Sequence, residues 1–214
     1  MRITVLLISF LFCLTAIAQD EFSGEVTYEI SYEDLDDQIK AMESMLPKSM
    51  TVEMRDGMSK TIQPNAMGGE TIVIVNNENG ETLTLLNIMG NKMAIKSNAN
   101  DKEDEEGNVE VEYTEETKEI AGYECKKAIA STEDGTEVII YYTNELPSAS
   151  VSDNAYNIDG FPMMIEMSQE MFTMITTVTK VEEKKMKKIV MEIPEGYTEK
   201  TPEELKQLMQ GGGM

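Results

Sequence analysis

A chain of 214 residues with 40 acidic and 18 basic side chains carries a net charge of −22, which repels nucleic-acid phosphates and anionic lipid head groups and argues against both as partners. With 0 histidines, the usual zinc sites, Ser-His-Asp triads and imidazole acid–base chemistry are excluded. The length fits one domain with a sizeable core.

The chain opens on Met1-Arg2, a short positive start, followed by an apolar stretch from Ile3 to Leu14 and the small-residue site Ala16-Ile17-Ala18. This pattern predicts a secretory signal peptide over 1–18, cleaved after Ala18, and a periplasmic or secreted mature chain. The run is too short to cross ~30 Å of hydrocarbon as a helix, so no transmembrane segment is expected after cleavage. Phe12, not a small residue, precedes Cys13, which speaks against lipidation. Loss of Arg2 takes the net charge from −22 to −23, and loss of Cys13 leaves Cys125 as the single cysteine. An internal disulfide is then impossible.

From Phe22 to Glu33 apolar and polar residues alternate, which predicts a long half-buried strand. Leu35, Ile39, Met42 and Met45-Leu46 fall at helical spacing before Pro47, so one amphipathic helix is expected over 35–46. Short strands follow at 50–55, 58–62, 71–75, 81–88 and 92–96, with Asp56-Gly57 and Gly90-Asn91 as turns. The acidic stretch 98–108 reads as a solvated loop. Further strands are expected from Val109, then at 124–131, 137–143, 163–167, 172–181 and 187–193. Thr201-Pro202-Glu203-Glu204 opens a short C-terminal helix. The expected fold is mainly β (α+β): over 19–214, a single curved antiparallel sheet or half-barrel of about ten strands, with one early helix and a short C-terminal helix.

Methionine is the compositional oddity, with 18 residues against 0 Trp. Met42 and Met45, then Met163, Met164, Met167, Met171 and Met174, form two clusters. As plastic apolar lining they would suit a core, or a groove that accepts irregular apolar ligands. Soft thioethers also select Cu(I), but such sites usually add His or Cys. An EF-hand register from Asp101 fails because Glu106 stands where glycine is needed. The acidic residues are scattered along wet strand faces and nominate no acid–base pair. No catalytic residue, metal ligand or cofactor is therefore expected. Tyr123 and Cys125 share one strand face, which should be buried, and Gly122 should supply a backbone angle closed to other residues.

Two segments carry a resemblance. Thr117 to Ala128 (TKEIAGYECKKA), with Val138 to Pro147 (VIIYYTNELP), resembles the central signature of an exported bacterial domain family related to the GLPGLI proteins. Gly160 to Glu166 (GFPMMIE) takes the place of the motif that names those relatives, with Met163 where they have glycine. The resemblance implies a Gram-negative envelope location and a fold similar to the LolA-type lipoprotein carriers, in which a curved antiparallel sheet shelters an acyl chain. It brings no catalytic residues. The function expected is a non-enzymatic binding or carrier module for an apolar, lipid-like ligand. The alternative is a structural or interaction domain with an envelope protein partner.

Overall fold

A computed structural model gives the architecture; it describes residues 22–211 except 67, 99–108, 133–134, 147–155 and 157, with side chains as far as 207. The expected signal peptide and acidic loop lie outside the described residues. Twelve strands form one sheet in the order β12-β6-β5-β4-β3-β2-β1-β11-β10-β9-β8-β7. The chain starts in the middle, with β1 at Gly24–Glu33, and meanders outward through β2 (Ser49–Arg55), β3 (Met58–Pro64), β4 (Glu70–Asn76), β5 (Glu81–Ile88) and β6 (Asn91–Asn98). It resumes at the far edge as β7 (Glu110–Ile120) and returns through β8 (Tyr123–Ser131), β9 (Glu137–Thr143) and β10 (Phe161–Ser168) to β11 (Thr173–Glu183), which pairs with β1. All of these pairings are antiparallel, and the short β12 (Thr198–Lys200) adds in parallel to β6. Among the described residues the α-helices are α1 (Asp37–Ala41) and α2 (Pro202–Gly211).

Turn chemistry sets the hairpins. At Ala121-Gly122 both residues have positive φ, +50° and +87°, the pairing a two-residue turn needs to follow strand twist. Ala121 carries the steric cost and Gly122 does not.

The sheet is strongly curved. β7 and β11 stand four places apart, about 19 Å in a flat sheet, yet some of their Cα atoms approach within 8 Å. Two bulges help to bend it. Tyr28 pairs with Val178 and Thr27 with Lys180, which leaves Thr179 as an extra residue. Likewise Pro162 opposes Tyr142 and Met164 opposes Tyr141, so Met163 is extra. Such insertions bend the strand and raise its twist.

The core has three parts. One joins Val26, Tyr28, Met50, Val52, Cys125, Tyr141, Phe161, Met163 and Val178. A second joins Ala128, Ala130, Val138, Ile140, Tyr142 and Ile158. The third lies on β4–β6, where Ile74, Leu83, Leu85 and Ala94 meet Ile189, with Met191, Ile193 and Tyr197 packed against them.

Two expectations need correction. The helix expected over 35–46 is only α1 followed by a 3-10 turn at Glu43–Met45, and α1 buries no residue. A short helix needs tertiary packing to persist, and Pro47 holds Leu46 extended, at ψ 140°. The strand expected at 187–193 is instead an extended strap without ladder partners. Its alternation is real: Ile189 is buried, Met191 and Ile193 are half-buried, and Lys188, Val190 and Glu192 are exposed. The strap lies across a sheet face, where it can bury side chains but cannot join a ladder.

Candidate functional site

The seven methionines of the two clusters take three different positions. Met163 and Met164 belong to the central core, Met163 with 0 % exposure as the bulge residue of β10. Met167 and Met174 are half-buried and sit opposite each other across β10 and β11. Met42, Met45 and Met171 are 48 %, 46 % and 43 % exposed. The structure thus divides them between the interior and one end of the sheet.

That end is built from the β1–β2 connection and the β10–β11 hairpin. Asp36 caps α1, its carboxylate accepting from the Ile39 amide at 2.8 Å, as residues before a helix do. The Asp36 amide in turn donates to the Met171 carbonyl at 2.9 Å. At the other end of the connection the Tyr32 hydroxyl donates to the Pro47 carbonyl at 3.0 Å. The Tyr32 ring also meets the edge of Phe172, with centroids 5.8 Å apart. One end of the segment bearing Met42 and Met45 is therefore tied to the hairpin bearing Met171, and the other to β1 through Tyr32, whose ring meets that hairpin at Phe172. Met174 lies directly opposite Tyr32 in the register. Exposed carboxylates of Glu33, Asp34, Asp37, Glu43 and Glu170 lie on these same two segments, with Lys40 and Lys48.

A second cluster, missed in the sequence, lies on the curled half. The β7–β8 register slips between Tyr113 and Thr117, and this irregularity turns Glu116 toward the neighbouring strands. Its carboxylate accepts a very short hydrogen bond from the Tyr141 hydroxyl and pairs with Lys127 Nζ at 2.9 Å. Lys118 Nζ stands 5.3 Å from the centre of the Tyr141 ring and 3.4 Å from Met164 Sδ. The Tyr141 and Lys127 bonds hold Glu116 below the usual carboxylate range. The same carboxylate, then burial, pushes Tyr141 up to about 12. Glu116 thus stays ionised and Tyr141 stays a donor. The cluster ties four strands, β7 to β10, together but presents neither a free base nor a nucleophile. The register slip that creates it has no signature in residue type.

Cys125 is fully buried, its Sγ 3.4 Å from the Tyr123 carbonyl, and burial pushes its thiol up to about 11. A neutral buried thiol is a poor nucleophile and a poor metal ligand. Gly160 has a packing reason: a Cβ there would collide with the Tyr142 ring. Tyr28 donates to the Pro162 carbonyl at 3.2 Å, which ties the start of β10 to β1. Among the described residues, no group of three or more His, Cys, Asp or Glu side chains is placed to hold a metal ion. No helix among them is long and apolar enough to cross a membrane.

No protein-family model and no curated protein matches the sequence. Among solved structures, that of PNGF-II in the C2 space group is similar in fold, with a TM-score of 0.54 and 18% identity over 88% of this chain. The chain spans only 33% of that protein's length, so the likeness concerns the fold of one part of it. The Mycobacterium tuberculosis lipoprotein LppX aligns over 77% of this chain and 89% of its own, at 10% identity and a TM-score of 0.37. A score that low carries no weight for fold or function.

Proposed function

We propose that the chain is a non-enzymatic binding module of the cell envelope that holds an apolar ligand against the methionine-rich end of its sheet. The observation that carries this reading is the exposure of Met42, Met45 and Met171 on two segments that the Asp36–Met171 backbone bond joins at one end of the sheet. Unbranched thioether side chains adapt to irregular apolar shapes, and proteins that bind varied apolar partners use them for this. The curved sheet and the resemblance of Thr117 to Glu166 to exported carrier-like domains support a lipid-like ligand. The signal-like residues 1–18 support export. The absence of histidine and the locked Glu116–Tyr141 pair support a role without catalysis.

A second reading is an interaction domain that takes no small ligand. It draws on the filled interior, where Cys125, Phe161 and Met163 have 0 % exposure. Native mass spectrometry of delipidated protein with a fatty acid or lipopeptide separates the two. A stoichiometric bound species is expected, and its absence at every ligand concentration leaves the interaction domain.

A further inference from the structure

Of the seven large apolar side chains left exposed among the described residues, four are methionines: Met42, Met45, Met89 and Met171. All four stand in connections rather than in strands. Met42 ends α1, Met45 lies in the 3-10 turn, Met89 in the turn between β5 and β6, and Met171 in the turn between β10 and β11. The register puts these connections at one end of the sheet. β1 ends where β2 and β11 begin, and antiparallel pairing through β3, β4 and β5 brings the β5–β6 turn back to that end. The turns of the opposite end, Asp56-Gly57, Asn77 to Gly80 and Ala121-Gly122, hold no exposed large apolar side chain. Met89 is 74 % exposed and holds a positive φ of +52°, where asparagine or glycine is the usual choice, so a thioether stands there at a steric cost.

The reaction of a thioether with a two-electron oxidant follows the exposure of its sulfur. Competing groups are missing or closed: the sequence has 0 Trp and 0 His, and the Cys125 thiol is buried and keeps its proton. The inward methionines are closed as well. Met50, Met54, Met163 and Met164 lie in the central core. Lys118 Nζ donates to Met164 Sδ at 3.4 Å, and Gln169 Nε2 donates to Met167 Sδ at 3.4 Å. None of the four outward sulfurs accepts such a bond among the described residues.

We infer that Met42, Met45, Met89 and Met171 form a modification site for hydrogen peroxide, a shell of thioethers that is oxidised and repaired while the sheet stays folded. In each step a sulfur lone pair takes one oxygen of the peroxide. The S–O bond forms as the O–O bond breaks, and the hydroxide released takes the proton left on the transferred oxygen and leaves as water. Sulfur loses two electrons and the peroxide gains them. The sulfoxide is polar, which is tolerated on an exposed turn and disrupts a core. α1 and the 3-10 turn bury no residue, so an oxygen added at Met42 or Met45 displaces no packing. This role stands whether or not the same end of the sheet holds a ligand.

The test treats the full chain with limiting hydrogen peroxide and follows each methionine by peptide mass spectrometry. Met42, Met45, Met89 and Met171 should form sulfoxide at least about tenfold faster than Met50, Met54, Met163 and Met164. Protein oxidised at the four should melt within about 4 °C of untreated protein, and sulfoxide reductases acting on the two sulfur epimers should restore the thioethers. Met42→Leu, Met45→Leu, Met89→Leu and Met171→Leu together should pass the same peroxide dose on to Met163 and Met164, so that the treated variant melts lower than the treated wild type. Equal rates at outward and core methionines overturn the inference, and that readout needs no variant. A larger drop in melting on oxidation of the four, sulfoxides that the reductases leave in place, or a leucine variant no more sensitive than the wild type overturns it as well.

Discussion

Cys125 shows how far a single position can be argued. It alternates with the exposed Glu124 and Lys126, has no exposure, and keeps its proton to about pH 11. Native protein should therefore react slowly with iodoacetamide and denatured protein quickly. Cys125→Ser places a hydroxyl in this apolar site and should destabilise by about 1–3 kcal/mol in urea unfolding. Fast stoichiometric labelling of native protein would contradict the burial. The Glu116–Tyr141 pair makes a pH forecast of opposite sign at its two ends. Tyr141 is raised to about 12 from an ordinary 10.0, so its contribution to stability is fully present below pH 10 and disappears as the pH rises through about 12. Glu116 is lowered, so its contribution is present above the ordinary carboxylate range and disappears as the pH falls through its own lowered value. Burial raises Tyr32 and Tyr142 as well, so tyrosinate absorbance should show several tyrosines titrating late, and Tyr141→Phe should remove the step at about 12 and cost about 0.5–1.5 kcal/mol.

At the scale of elements, the bulge residue and the hairpin tip separate packing from surface. Met163 sits where β10 has one residue too many and is wholly enclosed. Met163→Ala should cost about 2–5 kcal/mol, the usual loss for emptying a core site. Met171→Ala, at the exposed tip, should stay within about 0.5 kcal/mol. Urea midpoints of the two variants check both, and similar losses would mean that the two clusters share one environment after all. Strand positions were legible because alternation and turn pairs act locally: 81–88 and 137–143 coincide with β5 and β9, and the Asp56-Gly57 turn lies where expected. Three features were not legible, because each depends on what lies across space. The register slip that aims Glu116 at Tyr141 leaves no mark in residue type. The strap at 187–193 alternates like a strand but has a sheet face beneath it rather than an edge beside it. The 35–46 periodicity is helical, yet no apolar surface receives Met42 and Met45, so the helix stops at Ala41.

On the scale of the whole molecule, an open sheet of twelve strands curls enough to fill its curled half with Phe161, Met163, Cys125 and Tyr141. It leaves Met42, Met45 and Met171 exposed at one end. Composition alone grouped the methionines, and only the curvature divides them into those that hold the sheet together and those that face outward. The account stands or falls on that division. The most direct measurement compares ligand uptake, by native mass spectrometry of delipidated protein with fatty acid or lipopeptide, in the wild type and in two variants. Met42→Ser, Met45→Ser and Met171→Ser combined should lose the bound species while keeping the wild-type melting temperature. Met163→Ala should melt lower yet still bind at a temperature where it is folded. Undiminished binding by the triple variant, with binding lost in folded Met163→Ala, would place the ligand inside the sheet and contradict the account.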